Sequence, residues 1–313
     1  TKLFNDYLYA PEKTSAFFLL HSSDQKAWPN TFDAVLKKYK TNRDRLADIL
    51  ADQQIRFQSA KQAMENIDLL RQINTVAVVT GQQTGLLGGP MYTVLKALGT
   101  IKYCQLLKTK FPNYNFVPVF WLELEDHDFE EVRSTHLINI QNDLVKISYD
   151  GGIGENQNKT PVHRFMLTDD ILRTIEELRS ALNPTDFSQA LWDTIEKSYQ
   201  PGKPWAEAFA LLLSSWLSPQ GLILMDPSDV RFKSIVKPVF EHALKESESL
   251  HEAVQQQSAL LKSAGYHAQV ETEPSYVFLT DYADDKLSFN GKKHDKIRIT
   301  RDIWQAHPNE ILN

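Results

Sequence analysis

The amino-acid sequence predicts an α/β protein built on an open parallel sheet. Three observations predict it. The run Thr75-Val76-Ala77-Val78-Val79-Thr80 is short, continuous and rich in β-branched residues, as in a strand buried on both faces of a parallel sheet. Residues 90–110 then read as a helix with Pro90 near its first turn, where the missing N–H costs nothing. Phe116-Val117-Pro118-Val119-Phe120-Trp121-Leu122 is a second apolar run. Strand, helix and strand therefore follow one another at βαβ spacing.

Each element has its own signal. Residues 31–72 carry apolar side chains at three- and four-residue steps, among them Val35, Leu36, Tyr39, Leu46, Ile49, Leu50, Ala63, Ile67 and Leu70. That is the pattern of amphipathic helices. In the second strand Pro118 suggests a strand start or a sheet edge. A third strand is expected at 221–225, closed by Asp226-Pro227-Ser228-Asp229 and followed by one helix over 230–263. Two stretches break the pattern. Residues 138–168 alternate around Gly151, Gly152 and Gly154 and read as a β-hairpin insertion. Residues 267–300 give short alternating runs at 269–271, 276–280, 286–289 and 296–299, with Asn290-Gly291 as a hairpin turn. The organisation read from this is an N-terminal helical region (1–72), the first part of the sheet core (73–137), a hairpin insertion and connector (138–185), core helices and strand (186–265), and a small β-rich subdomain (266–313).

Bulk properties narrow the function. The chain has 313 residues, 42% of them apolar and 24% charged, an ordinary globular composition. A formal net charge of -6 argues against nucleic acid or an anionic membrane as the main partner, since both need a basic surface. Cys104 is the single cysteine, which rules out a disulfide within the chain and suits a reducing, cytoplasmic setting. The most apolar stretch, 206–217, is interrupted by Glu207, Ser214 and Ser215 and is shorter than the about 20 residues a membrane span needs. The chain opens on Thr1 and soon reaches Phe4, Tyr7 and Leu8, so a piece cut inside a longer protein is expected.

Two segments carry the candidate chemistry. Thr80-Gly81-Gln82-Gln83-Thr84-Gly85-Leu86-Leu87-Gly88-Gly89-Pro90 lies between the first strand and its helix. A loop in that position faces the crevice where open α/β sheets bind ligands. The helix N-terminus there suits phosphate or carboxylate, and glycines let the backbone approach a ligand. Candidate binding residues are Thr80, Gly81, Gln82, Gln83, Thr84, Gly85, Gly88 and Gly89, with Tyr92 and Lys96 on the first helical turns. The spacing matches neither a Walker loop nor Gly-x-Gly-x-x-Gly, and a plain strand-to-helix turn would use the same glycines. The second segment is Glu123-Leu124-Glu125-Asp126-His127-Asp128, where four carboxylates and an imidazole follow an apolar strand. Their mutual repulsion calls for a metal, a cationic substrate group or ordered donors. Glu125, Asp126, His127 and Asp128 are the candidate catalytic residues. They could orient an amine, move a proton through His127, or share a magnesium ion with substrate phosphates. A solvated helix start is the plainer reading of the same acids. Asp226 ends the third strand and could line the same crevice, or simply form a turn. Cys104 reads as core, and His163-Arg164 as a surface pair.

The segments Val79-Thr80-Gly81-Gln82-Gln83-Thr84-Gly85-Leu86-Leu87-Gly88-Gly89-Pro90-Met91-Tyr92-Thr93, Val117-Pro118-Val119-Phe120-Trp121 and Glu125-Asp126-His127-Asp128-Phe129-Glu130-Glu131-Val132 closely resemble the cysteine-adding enzymes of bacillithiol biosynthesis. That resemblance implies a Rossmann-like core of the class I nucleotidylyltransferase type, with the insertions at 138–168 and 267–300 as connective peptides. It implies a cytoplasmic ligase that joins L-cysteine to the amine of glucosaminyl-malate in the last step to bacillithiol. ATP would activate the cysteine by analogy with related synthetases. Gly81-Gln82-Gln83-Thr84 stands where their His-x-Gly-His signature is expected, and no Lys-Met-Ser-Lys-Ser loop is present, so ATP and another acyl donor both stay open. Family members are longer and use a coiled coil to form homodimers, which implies that this chain holds their N-terminal part. The reading that competes with the ligase is a non-catalytic nucleotide- or anion-binding module on the same fold.

Overall fold

The computed structural model describes residues 1–18, 21, 23–39, 41–126, 128–151, 161–270 and four short strands beyond them. In chain order these hold α1 (Lys2–Tyr9), α2 (Trp28–Lys38), α3 (Arg43–Arg56), α4 (Lys61–Leu70), β1 (Thr75–Gln83), α5 (Met91–Lys110), β2 (Asn115–Glu123), α6 (Phe129–Val132), β3 (Ser134–Ile138) and β4 (Leu144–Ser148). There follow α7 (Asp170–Ala181), α8 (Ser188–Ser198), α9 (Trp205–Leu217), β5 (Ile223–Met225), α10 (Val230–Lys245), α11 (Ser247–Ser263), β6 (Val277–Leu279), β7 (Leu287–Phe289), β8 (Lys292–His294) and β9 (Ile297–Ile299). The chain forms two compact units, one of Leu36–Phe232, the other of Thr1–Val35 with the chain from Lys233 onward.

The larger unit carries a parallel sheet in the order β1-β2-β5. Helix α5 makes the crossover from β1 to β2, as a parallel pair requires. Two expectations are corrected. The first concerns β1, which lies at the sheet edge among the described strands, with Ala77 and Val79 exposed, so it is not buried on both faces. Its unbroken β-branched run stated that a strand forms, not what covers it. The second concerns β2, the central strand, Pro118 included. Pairing with β5 starts only at Val119, so no ladder bond on that side is lost at Pro118.

Helix α9 explains the apolar stretch near 206–217. Ten of its residues are buried, as expected of a helix that is apolar all round. Its Ala206, Phe209, Ala210, Leu213 and Leu217 pack with Phe120, Leu122 and Leu224 of the sheet, with Leu222 just before β5, and with Ala97 and Ile101 of α5. Its Trp205, Ala208 and Leu212 enter a second core with Phe129, Tyr149, Phe165 and Ile171. One helix thus serves both the sheet and the hairpin side. No helix among the described residues is long and apolar enough to cross a membrane.

The hairpin is β3–β4, spanning 134–148 with its turn at Asn139–Asp143, earlier than the 138–168 read from the glycines. Residues 152–160 lie outside the described residues. The helix expected over 230–263 is two, α10 and α11, parted at Glu246. In the second unit β6 pairs with β9 and β7 with β8, both antiparallel. The Asn290-Gly291 turn lies outside the described residues, and residues 269–270 form no strand. In that unit the Tyr266 hydroxyl donates to Asp6 Oδ2 at 3.0 Å.

Candidate functional site

The candidate site lies at the C-terminal ends of β1 and β2. Strand β1 runs further than the sequence suggests: Gly81, Gln82 and Gln83 are ladder residues opposite Trp121, Leu122 and Glu123. Gly81 makes the close pairing possible. A Cβ there would stand 2.9 Å from the Trp121 carbonyl oxygen and 3.1 Å from its Cβ. Strand alternation puts Val79, Gly81 and Gln83 on one face beside Trp121 and Glu123. Residues Val79 to Gln83, with Trp121 and Glu123, line a concavity of about 450 Å³.

The turn proper begins at Thr84. Thr84, Gly85, Leu86 and Gly88 are buried. Gly88 and Gly89 hold φ of 98° and 70°, the region glycine enters without a Cβ penalty. Gly85 packs so tightly on Gly89 that a Cβ would meet its Cα at 2.8 Å. From beneath, the buried Trp205 indole N–H donates to the Thr84 carbonyl at 2.6 Å. Trp205 also packs edge-on against Phe129, ring centroids 5.0 Å apart. It therefore supports the glycine turn and the start of α6 together.

Lys96, on α5, does not wait free for an anion. Its Nζ donates to the Gly81 carbonyl and to Gln82 Oε1, each at 2.9 Å. The Gln82 amide in turn donates to the Tyr92 hydroxyl at 3.2 Å. These contacts tie the helix to the end of β1 and hold a positive charge at the rim of the concavity.

A side-chain hydrogen bond joins the acidic turn to the glycine segment. Gln83 Nε2 donates to Asp126 Oδ2 at 2.9 Å. Asp126 Oδ1 accepts the Asp128 N–H at 3.3 Å, and its carbonyl accepts the Val162 N–H at 2.9 Å. Asp128 Oδ1 accepts the Glu131 N–H and caps α6. Ordered donors thus offset the charge repulsion at Asp126 and Asp128. Glu125 is exposed. His127 lies outside the described residues. The ring Nδ1 of His163 stands 3.1 Å from the Leu124 carbonyl, which also accepts the His163 backbone N–H, so this histidine braces the turn. The Glu123 carboxyl is held above its ordinary range, by burial first and then by the charges of Asp126 and Glu125. Among the described residues no group of three or more His, Cys, Asp or Glu converges as metal ligands would.

The structure thus brings Thr80 to Gln83 to one concavity, with Tyr92, Lys96 and Asp126 hydrogen-bonded to the residues that line it. It does not bring in Asp226. That carboxylate is buried, paired with Arg56 Nη2 at 2.5 Å and bonded by the backbone and side chain of Ser228. Sequence reasoning counted Glu123 in the acidic segment without naming it a site residue, and gave no site role to Trp121, Thr93 or Trp205. Glu123 and Trp121 had a signal, the two-residue alternation in step with Gly81. The contact of Trp205 with Thr84 spans 121 positions and had none.

Residues 1–312 match the family described as bacillithiol biosynthesis BshC, N-terminal Rossmann-like domain. The chain belongs to this family. Curated relatives carry the name of a cysteine ligase, BshC. The one from Salinibacter ruber is 36% identical over 77% of this chain and 43% of its own length. The one from Chlorobaculum tepidum is 32% identical over 86% of this chain and 47% of its own. The one from Bacillus velezensis is 30% identical over 96% and 55%. The chain therefore spans about half the length of the curated relatives it matches. The family's Rossmann-like description agrees with the parallel β1-β2-β5 sheet and its α5 crossover.

Proposed function

We propose that the protein carrying this chain is a cysteine ligase that joins L-cysteine to the amine of glucosaminyl-malate, the last step of bacillithiol biosynthesis. The observation that carries the reading is the bond from Gln83 to Asp126. It joins the glycine segment and the acidic turn at the ends of two neighbouring parallel strands, where open α/β sheets bind ligands. Family membership and the relatives' names support the same reaction class.

In this reading the attacking amine docks against Glu125 and Asp126, whose negative charge favours an ammonium group and orients it before its proton is lost. The acyl group of cysteine lies over Gly81, beside Trp121. A C–N bond forms at the cysteine carboxyl carbon, the bond to its activating group breaks, and the amine gives up a proton. ATP with magnesium is one activating system and a preformed acyl donor is the other.

The test uses the complete gene product. It is incubated with glucosaminyl-malate and L-cysteine, with ATP–magnesium in one series and an acyl-activated cysteine in another, and the thiol product is trapped and weighed by mass spectrometry. The expected result is the cysteinyl amide in one series. Folded protein that makes none in either overturns the reading.

A further inference from the structure

Thr93 differs from the other helical threonines. Thr31, Thr100, Thr109, Thr174 and Thr194 each donate to the carbonyl four residues back, at 2.7 to 3.3 Å. Thr93 sits in the first turn of α5, and the residue four back is Gly89, whose φ of 70° and ψ of -163° leave helical geometry. Thr93 is fully buried, yet its Oγ1 has no hydrogen-bond partner. That oxygen stands 3.3 Å from where a Cβ on Gly89 would be, so it is aimed at the bare side of the glycine turn.

Thr84, next to the Gly85 that packs on Gly89, also has a buried and unpartnered Oγ1. Leaving a buried polar group unmade costs about 1–3 kcal/mol, so two such hydroxyls at one turn need an explanation. Helix α5 opens on Pro90 with no side-chain cap. The Thr93 amide already donates to the Pro90 carbonyl at 2.8 Å, which leaves the amides of Met91 and Tyr92, with the positive end of the dipole, at this end of the helix.

We infer that the hydroxyls of Thr93 and Thr84, with the backbone amides of Met91 and Tyr92, form a receptor for an oxyanion: a phosphate or carboxylate group carried by a substrate. Both hydroxyls can donate to an anion, as can the amides, and the dipole favours negative charge. Entry needs the turn to lift, and Gly88 and Gly89 supply the backbone freedom. The inference rests on reading this loop as a substrate site, but its test needs no turnover.

Thr93→Val keeps the shape and removes the hydroxyl. Because Oγ1 has no partner to lose, the midpoint of thermal unfolding should stay equal or rise. Calorimetric titration of the complete gene product with inorganic pyrophosphate, and separately with malate, reports the anion site. One of the two should bind the native protein, and Thr93→Val should weaken it roughly tenfold to a hundredfold, the loss expected for a hydrogen bond to a charged group. Thr93→Ser should retain binding. Pyrophosphate binding identifies a phosphate receptor and malate binding a carboxylate receptor. No binding of either at millimolar concentration, equal binding by Thr93→Val, or a clear fall in its unfolding midpoint overturns the inference. A protein that binds through Thr93 but forms no cysteinyl amide leaves it standing and overturns the proposed reaction instead.

Discussion

Replacing Gly81 by alanine isolates the contact on which the site's floor depends. The added Cβ would meet the Trp121 carbonyl oxygen at 2.9 Å and Trp121 Cβ at 3.1 Å. The nearest of these is backbone of the central strand, so relief requires β1 to draw away from β2 where Gly81 pairs with Trp121. Overpacking of this kind costs about 1–3 kcal/mol. Removing a glycine from the unfolded ensemble returns about 0.4–1 kcal/mol. The midpoints of these ranges leave a net destabilisation of about 1.3 kcal/mol. Gly99, within α5 and with open space where its Cβ would stand, is the matched control. There alanine should stabilise by about 0.5–1 kcal/mol, because helix propensity and backbone entropy act without a clash. Urea unfolding of both variants, with the slope unchanged, reads the two signs directly. A Gly81→Ala protein as stable as the native one, or shifted in the same direction as Gly99→Ala, would refute the claim that close strand approach requires this glycine.

Two further predictions concern ionisation. Asp229 is drawn down to about 2, chiefly by its hydrogen bond from Arg231. Its folded value lies below the unfolded 3.8, so its contribution is present above that value and is lost as pH falls from about 4 to about 2; Asp229→Asn should flatten that part of the curve of urea midpoint against pH. Burial pushes the Cys104 thiol up to about 12. Iodoacetamide at neutral pH should therefore label it far more slowly in the native protein than in denaturant, since the thiolate is the reacting species, and equal rates would show that α5 does not shield it.

Local sequence carried much of the fold. The β-branched run at 75–79, the glycines after it and the apolar run of β2 sufficed for a βαβ unit, because strand and helix periodicities are written in neighbouring residues. The same nearness made the glycine and acidic segments legible as a pair. Burial was another matter. The exposure of Val79 and the central place of Pro118 depend on which strands stand alongside, and α9 had to be seen packed before its apolar stretch could be read as the helix shared by two cores.

The sequence by itself determined the parallel strands, the crossover helix and the two segments that carry the family likeness. Only the tertiary structure decided what those segments do to each other. It committed Asp126 to Gln83, Asp128 to the cap of α6, Lys96 to the end of β1 and Asp226 to Arg56. It also left Thr93 and Thr84 buried without partners. The physical reason is that a polar side chain's role depends on whether its hydrogen bonds are already made, and most of its partners here come from other elements of the fold.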